Sequence, residues 1–450
     1  MNPNSRRQFL WHFTAAWGSL SLAGCGGGSS ASDAPPPSGT TPIASAPPPP
    51  PPAPSPTPAP TPAPGPAPSP APTPSPPPSA TPGPGPQSAP LPAAIHPAWM
   101  QGQPLNTWFA IPGTVHAGSA AAPGDDPTDI YAPSNRRLSY SGMGLRNCEI
   151  ILAANGGHND YSGNEVTSLD LSQDTPAWGL RRAASATSAV TMDVPYYTDG
   201  APSPRHTYWS TIWSEQHSRL MLHYTRFVWG HGVSFNNSNG FNLGTNTWDP
   251  QGTWGSGYSA GCADANGNCY AMGVGYFALN KWTASTGLWS TVATFDEPIN
   301  ANPVCFDPKR GHLFALAWGD GQGNNLTATA GISAFRIAGT TKTNITFNAS
   351  AALTQFKSDT PIYSAMEYDP VNDQYLFYEG AAGRTGRVYV VKPNDTAVWD
   401  LSILTLGAGS VLPDAAVGAG VFNRFKYVPA LRGFVLMSSG TSNVYFMRTA

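Results

Sequence analysis

Two short segments of this 450-residue chain stand out because each places several side chains that can transfer a proton or bind a ligand close together. The first reads Gly156-Gly157-His158-Asn159-Asp160-Tyr161, and the second reads Pro204-Arg205-His206-Thr207-Tyr208. An imidazole or a phenol can take up or release a proton, and a guanidinium can neutralise a carboxylate. The combination predicts acid–base chemistry on an anionic sugar. An arginine binds the carboxylate, one group removes the proton beside it, and another protonates the leaving oxygen.

The residue assignments follow from these side-chain types. The predicted catalytic residues are His158, Tyr161, Arg205, His206 and Tyr208. The predicted binding residues are Asn159, Asp160, Arg226, His231 and Tyr363. In this scheme either histidine works with Tyr161 or Tyr208 to move protons, and Arg205 holds the carboxylate. Cysteine and histidine spacings typical of a zinc site are absent, so no metal ligand is predicted. The cofactor stays unknown, and a structural metal ion stays open.

The elements that must position these segments form a repeat of β-hairpins. Each clear copy starts with an aromatic residue, passes through a polar turn and resumes an apolar run seven residues later. The clear copies start at Trp213, Phe306, Tyr368 and Tyr427, and looser copies lie at 262–272 and around 140–152. Such units, with almost no helical periodicity between them, predict a radial all-β repeat. We expect a single β-propeller of six four-stranded blades, or of seven if the interval after Tyr140 hides a weaker unit.

The two ends of the repeat region predict how the ring closes. The last unit stops at 443–448 without an outer strand, and the segment 105–110 supplies such a strand. Closure by this N-terminal strand removes the exposed edges that invite aggregation. In a propeller the first strand of each blade lines a central channel. The segment 204–208 precedes the second hairpin, so we place it on such a strand. We expect 156–161 and 204–208 to lie together at one opening, or mouth, of this channel. Structural roles stay open, with His158 as a turn residue bound to a backbone carbonyl and His206 as a ring buried between blades.

The first unit shows a more specific pattern. The pair Gly156-Gly157 is followed by a strand at 164–169, by Asp170-Leu171 and by Trp178. This order resembles the kelch repeat, and residues 105–450 resemble the propellers of bacterial kelch proteins and of galactose oxidase. The resemblance implies the fold. A third, less favoured option is a copper-radical carbohydrate oxidase. That chemistry needs a tyrosine cross-linked to a cysteine, two histidines and a further tyrosine.

The residue types expected at the mouth give a second resemblance, to polysaccharide lyases that act on uronate polymers. Some of these enzymes, including ulvan lyases, are propellers that use His, Tyr and Arg at the channel mouth. The resemblance implies eliminative cleavage of an extracellular, uronate-containing polysaccharide. The alternative is a non-catalytic propeller that serves as a scaffold and binds a glycan or a protein.

Residues 1–25 are typical of an export signal. The segment Ser5-Arg6-Arg7-Gln8-Phe9-Leu10 has the twin-arginine form, and the apolar stretch after it is too short for a stable membrane span. Leu22-Ala23-Gly24-Cys25 resembles the bacterial lipoprotein box. The resemblance implies lipidation of Cys25 and anchoring to the outer membrane or cell surface, while cleavage without a lipid stays open. Residues 26–92 are rich in Pro, Ala and Ser and predict a disordered stalk, which leaves 93–450 for the propeller.

Composition narrows the partners of the folded part. Charged residues make up 11 % of the chain, against about 25 % in a typical protein, and the net charge is −3. The sequence has no basic stripe, which argues against nucleic acid as a partner. Few charges and many aromatic residues suit stacking on neutral sugar rings, although strands also favour aromatic residues for their own packing. We expect a monomer that contacts a glycan and that reaches the membrane only through its lipid.

Two of the five cysteines occupy matching positions of one hairpin. Cys262 and Cys269 stand where the clear copies place the starting aromatic residue and the restart of the apolar run. These positions face each other across the turn. A disulfide between Cys262 and Cys269 is therefore predicted for an oxidising compartment.

Overall fold

A computed structural model describes residues 90–117, 119, 136–158, 160–223, 226–272, 277–296, 299, 302–319 and 331–450. The export signal with Cys25, most of the stalk and Asn159 lie outside the described residues. The predictions for these parts therefore stay predictions.

The described residues form strands that are numbered here in chain order and group into blades. The first strand, β1 (Trp108–Ala110), belongs to the last blade. Blade 1 comprises β2 (Gly144–Arg146), β3 (Glu149–Ala153), β4 (Val166–Asp170) and β5 (Trp178–Arg182). A separate two-stranded ribbon pairs β6 (Arg205–His206) with β9 (Arg226–Val228). Blade 2 comprises β7 (Thr211–Ser214), β8 (Arg219–Leu222), β10 (Asn239–Asn242) and β11 (Thr247–Trp248). Blade 3 comprises β12 (Cys262–Ala263), β13 (Cys269–Ala271), β14 (Ala278–Thr283) and β15 (Leu288–Thr294).

The second half of the ring continues in the same order. Blade 4 comprises β16 (Val304–Asp307), β17 (His312–Trp318), β18 (Ile332–Ala338) and β19 (Thr341–Asn344). Blade 5 comprises β21 (Ala365–Asp369), β22 (Gln374–Tyr378), β23 (Val388–Lys392) and β24 (Val398–Ile403), and β20 (Thr346–Phe347) runs parallel to β24 at its outer edge. Blade 6 comprises β25 (Phe425–Val428), β26 (Gly433–Leu436) and β27 (Tyr445–Arg448). The helix α1 (Ala351–Asp359) precedes blade 5, and short 3-10 turns lie at Ala98–Met100, Arg136–Leu138, Thr187–Ala189 and Pro429–Leu431.

The propeller prediction is confirmed, with six four-stranded blades in the described part of the chain. The N-terminal strand closes the last blade: Trp108 pairs with Met447, and Ala110 pairs with Tyr445. The interval between Tyr140 and Trp213 holds blade 1 and β6, whose partner β9 comes after β8 of blade 2, so six is the count among the described residues.

The hairpin repeat corresponds to real cross-strand pairs. Each starting aromatic residue of the clear copies lies opposite the residue seven positions later, and the pairs are Trp213 with Leu220, Phe306 with Leu313, Tyr368 with Tyr375, and Tyr427 with Phe434. Directly opposite side chains on one face stabilise a hairpin. The repeated spacing therefore encodes the register of the two inner strands in four blades.

The predicted disulfide is wrong, because the blade 3 hairpin has a different register. Cys262 lies opposite Tyr270, and Ala263 lies opposite Cys269. Since successive side chains of a strand point to opposite faces, this one-residue offset puts the two thiols on different faces of the blade. Both cysteines are free thiols, and burial raises the pKa of each.

The hydrophobic core lies between neighbouring blades. Second strands such as β3 and β22 are buried along their whole length, because each of their faces packs against an adjacent blade. One apolar cluster joins blades 6 and 1 and includes Phe446 and Leu152. Another joins blades 4 and 5, where the Phe314 and Trp399 ring centres are 4.8 Å apart. These interfaces hold the blades in fixed positions around the hub.

The loops before the first strands and those between second and third strands lie at one face of the ring, which we call the mouth. The first described residues lie on the opposite face: Ile95 N donates to Ala430 O at 2.9 Å, and Trp99 Nε1 donates to Leu171 O at 3.1 Å. Both acceptors lie in turns at the far ends of the strands. The chain therefore enters the ring away from the mouth.

Among the helices that the structure describes, none has the length and apolar character needed to span a bilayer.

A buried histidine between blades 2 and 3 predicts an acid-sensitive fold. His223 is fully buried beside Trp282 and Trp289, at ring-centre distances of 4.9 and 5.3 Å. Burial lowers its pKa from 6.5 to about 3. The unfolded chain takes up this proton first, so the stabilising contribution of His223 is complete above pH 6.5 and is lost as the pH falls toward 3.

We expect His223→Asn to make the free energy of unfolding less sensitive to acid. Between about pH 7 and about pH 5 the wild type should lose about 2 kcal/mol more than the variant. Urea unfolding of both proteins at the two pH values measures this difference. Glu379, whose pKa burial raises to about 7, gives the opposite trend, but it is present in both proteins and cancels. Parallel pH dependences of the two proteins would show that His223 does not contribute.

Candidate functional site

Two glycines bring the first predicted segment against the ribbon β6–β9. Gly156 and Gly157 have φ of +95° and +75°, a region that glycine adopts without strain. A Cβ on Gly157 would lie 2.4 Å from Arg205 Cα and 2.6 Å from Phe227 O. The loop therefore packs directly on the ribbon backbone, and His158 N donates to Phe227 O at 2.9 Å. This contact fixes where the His158 side chain begins.

The second predicted segment lies on the ribbon and not on a channel-lining strand. The innermost strand of blade 2 is β7, which starts after this segment, so the placement of 204–208 on that strand is wrong. In the ribbon, His206 lies opposite Arg226, and a bulge follows Arg205. Bulges re-aim side chains next to functional sites. Here the ribbon presents His206 and Arg226 beside the loop that carries His158.

The two segments meet at the mouth. The ring centres of His158 and His206 are 5.8 Å apart, and those of His206 and Tyr208 are 5.6 Å apart. Arg226 Cζ lies 6.0 Å from the centre of the Tyr208 ring and 5.2 Å from that of Phe227. Imidazole, phenol and guanidinium groups from separate stretches of chain thus share one small region.

A hydrogen-bonded chain runs through this region. The His206 ring contacts Asp160 Oδ2 through Nε2 at 3.1 Å and Tyr208 Oη through Nδ1 at 3.3 Å. Burial lowers the pKa of His206 and outweighs the opposing effect of Asp160, so the imidazole is neutral near pH 7. Burial also raises the pKa of Tyr208, which keeps its phenol protonated. The three side chains can pass a proton along a fixed path.

An aromatic collar surrounds this chain and consists of Tyr140, Tyr208, Tyr363 and Phe422, which come just before the first strands of blades 1, 2, 5 and 6. All four have positive φ, between 47° and 53°. Bulky residues in this region cost about 1–3 kcal/mol each, and such strain concentrates at functional sites. The Tyr140 ring stacks on His206 with centres 4.4 Å apart, so the collar also holds the imidazole in place.

Arg205 does not lie where a ligand could reach it. Its side chain is fully buried, and its Nε and Nη2 donate to Ser203 O at 2.9 and 2.6 Å. Burial lowers its pKa to about 10. The prediction that Arg205 holds a carboxylate is corrected: the guanidinium binds the backbone that leads into the ribbon.

Tyr161 is also enclosed. It is 2 % exposed, its hydroxyl donates to the Glu165 carboxylate at 3.1 and 3.2 Å, and the Arg137 guanidinium lies 4.8 Å from its ring centre. The Tyr161 hydroxyl therefore helps to hold the segment 156–161 in place. Of the two tyrosines predicted to be catalytic, Tyr208 is the one that lies at the mouth.

His231 marks the rim of the mouth. Its side chain is 82 % exposed, and its Nδ1 lies 2.5 Å from Asp193 Oδ2. The neighbouring Gly230 N donates to His158 O at 2.9 Å, so this loop also supports His158. Of the other predicted binding residues, Asp160, Arg226 and Tyr363 lie at the mouth, and Asn159 is outside the described residues.

Comparisons with known proteins add the following. No family model and no curated protein matches the chain. Solved structures match it, among them a structural genomics protein of unknown function from Bacteroides thetaiotaomicron VPI-5482. That match has 10 % identity and a TM-score of 0.41, and it covers 76 % of this chain and 75 % of the other. A likeness at this level supports no conclusion about function.

Sequence reasoning missed three aromatic residues of the site, namely Tyr140, Phe227 and Phe422. A signal for two of them was available, because Tyr140 and Phe422 come shortly before a first strand, as Tyr208 and Tyr363 do. Below the collar, Trp209 Nε1 donates to Ser364 O at 2.8 Å, which joins the residues that precede blades 2 and 5.

Two observations on the described residues concern a bound metal ion and a copper-radical site. These residues contain no group of three or more His, Cys, Asp or Glu side chains close enough to hold a metal ion. The cysteine that a tyrosine cross-link would need is also not beside the collar: the described cysteines lie in or next to the strands of blades 1, 3 and 4. The residues of this mouth do not fit a copper-radical site.

Proposed function

We propose that the mouth binds an acidic extracellular polysaccharide and cleaves it by β-elimination. The observation that carries the proposal is the meeting of Arg226, Tyr208 and two histidines at the mouth, with Arg226 Cζ 6.0 Å from the Tyr208 ring centre. Removal of a proton beside a carboxylate needs a cation for the carboxylate and a group that accepts the proton. Arg226 takes the role first assigned to Arg205, and Tyr208 is retained from the two tyrosines first proposed for proton transfer.

The reaction moves one proton and breaks one C–O bond. Arg226 neutralises the uronate carboxylate, which makes the proton on the neighbouring carbon C5 more acidic. That proton passes to a phenol or imidazole of the mouth, and its electron pair forms the C4–C5 double bond. The C4–O bond breaks, its electron pair stays with the glycosidic oxygen, and this oxygen takes up a proton from the same groups. The protein returns to its starting protonation state.

The aromatic collar supports a sugar as the ligand. Tyr140, Tyr208 and Tyr363 are half-buried, so each residue keeps some exposed surface. Aromatic rings offer a broad apolar face together with a polar hydroxyl. A sugar ring, with apolar C–H faces and a polar rim, is complementary to such a surface.

The proposal places the propeller outside the cell, tethered through a lipid on Cys25 and the stalk 26–92. A long stalk suits a substrate that is large or distant. The first described residues after the stalk lie on the face opposite the mouth, as the Ile95 to Ala430 hydrogen bond shows. A polymer can therefore approach the mouth without meeting this segment.

We expect Arg226→Ala to lower the rate of cleavage about 10- to 100-fold. Hydrogen bonds to a charged group contribute about 1.5–3 kcal/mol, which corresponds to this loss when the interaction forms in the transition state. Ultraviolet absorbance of the unsaturated product, measured with a panel of uronate polymers, reports the rate.

Lys392→Ala is the matched control, because it removes an exposed positive charge at the far end of β23. It should leave the rate unchanged. An equal loss in both variants would point to a general charge effect. The absence of product from every polymer would contradict the lyase, and retained glycan binding in that case would support the non-catalytic scaffold.

A further inference from the structure

We infer that Asp160 is a positioning residue that fixes the tautomer of His206, so that Tyr208 is the group that removes the substrate's proton. The inference rests on the proposed function and deepens it, because it selects one proton acceptor from the groups at the mouth.

Both nitrogens of His206 are already engaged. Nε2 is 3.1 Å from Asp160 Oδ2, Nδ1 is 3.3 Å from Tyr208 Oη, and the side chain is 5 % exposed. Tyr140 stacks on the ring at 4.4 Å, and the Phe227 ring centre lies at 5.4 Å. A substrate has no free path to either nitrogen, so His206 exchanges protons with Tyr208 and not with the substrate.

The carboxylate decides which nitrogen carries the hydrogen. An ionised carboxylate only accepts hydrogen bonds, so Nε2 must be the protonated nitrogen when it contacts Asp160. Nδ1 then presents its lone pair to Tyr208, and the phenol donates to it. In the opposite tautomer, Nδ1–H would face Tyr208 Oη, and the Asp160 carboxylate would face the lone pair of Nε2.

This arrangement makes Tyr208 a base at the moment of reaction. As the C5 proton arrives at Tyr208 Oη, the phenolic proton moves to His206 Nδ1, and the imidazolium that forms is balanced by the Asp160 carboxylate. When the C4–O bond breaks, the proton on Tyr208 passes to the glycosidic oxygen. His206 then returns its proton to Tyr208, so atoms and charges balance over the cycle.

The charges around His206 make the contribution of Asp160 specific. Arg226 lies opposite His206 in the ribbon and His158 lies at 5.8 Å, and both disfavour an imidazolium. Among the residues that the structure describes, Tyr140 and Tyr208 also contact the His206 ring. Asp160 is the anion that hydrogen-bonds this ring, so its loss removes the stabilisation of the protonated intermediate.

The decisive test is the ¹⁵N NMR signature of the His206 ring in the full propeller without substrate, with the resonances assigned by their loss in His206→Gln. We expect the Nε2–H tautomer in the wild type and a mixed or reversed tautomer in Asp160→Asn. Asp193→Asn, which removes the carboxylate from the exposed pair with His231, is the matched control and should leave the His206 signals unchanged. A wild-type Nδ1–H tautomer, or unchanged signals in Asp160→Asn, would overturn the inference.

A kinetic measurement adds the functional consequence. The substrate is a uronate polymer that the wild type cleaves. On it, Asp160→Asn should lower kcat about 10²- to 10³-fold with little change in KM, because the substitution removes a contribution to proton transfer and not to binding. An unchanged kcat would overturn the inference. If the wild type cleaves no polymer, the proposed function fails, while the NMR measurement still decides the tautomer.

Discussion

Tyr208→Phe should lower the rate of polysaccharide cleavage by about 10²- to 10⁴-fold, the range that a positioned general acid or base contributes. The substitution removes the hydroxyl that contacts His206 Nδ1 at 3.3 Å and keeps the ring that packs against Phe422 at 5.5 Å. The collar should therefore stay intact, and KM should change little. Initial rates of unsaturated product formation, together with circular dichroism to confirm the fold, measure this effect.

Tyr258→Phe provides the control for losing a phenol. Tyr258 packs on Trp289 with ring centres 5.3 Å apart, in the part of the ring next to blade 3. Its variant should cleave at the wild-type rate. A Tyr208→Phe protein that keeps its rate within about threefold would show that the proton goes elsewhere, and His158 would become the first candidate to test.

The sequence was sufficient for the propeller because inner hairpins have a strict geometry. The seven-residue spacing from Tyr368 to Tyr375 and from Tyr427 to Phe434 reflects direct cross-strand pairing. The same reasoning failed at Cys262 and Cys269, where the turn shifts the register by one residue. A one-residue shift exchanges the faces of a strand, and the spacing of two cysteines alone cannot reveal it.

The site was predicted in part, for a different physical reason. The residue types of His158, His206 and Arg226 indicated chemistry, and the ring topology indicated that they meet. Whether a side chain points to the mouth or into the core depends on the local backbone. Tyr161 and Arg205 are buried, whereas Tyr208 and Arg226 lie at the mouth. The difference between Arg205 and Arg226 arises in the bulged ribbon β6–β9, whose strands of two and three residues give no clear periodic signal.

Gly157→Ala should cost about 2–4 kcal/mol of folding free energy, because two unfavourable effects add. An alanine at φ +75° carries a cost of about 1 kcal/mol in the left-handed region. Its Cβ would also lie 2.4 Å from Arg205 Cα and 2.6 Å from Phe227 O, which are backbone atoms of the ribbon and cannot rotate away. Relief of such overpacking by backbone shifts typically costs about 1–3 kcal/mol.

Gly383→Ala carries only the first effect, so the difference between the two variants measures the second. Gly383 has a nearly identical φ of +78°, and a Cβ there would have no neighbour within 4 Å. Its alanine variant should lose only about 1 kcal/mol, measured for both proteins by urea unfolding. Because the loop that Gly157 holds against the ribbon also carries His158 and Asp160, Gly157→Ala should in addition lower cleavage, whereas Gly383→Ala should not. Equal stabilities of the two variants would mean that the loop does not pack on the ribbon, and the convergence of the two histidines would lose its structural basis.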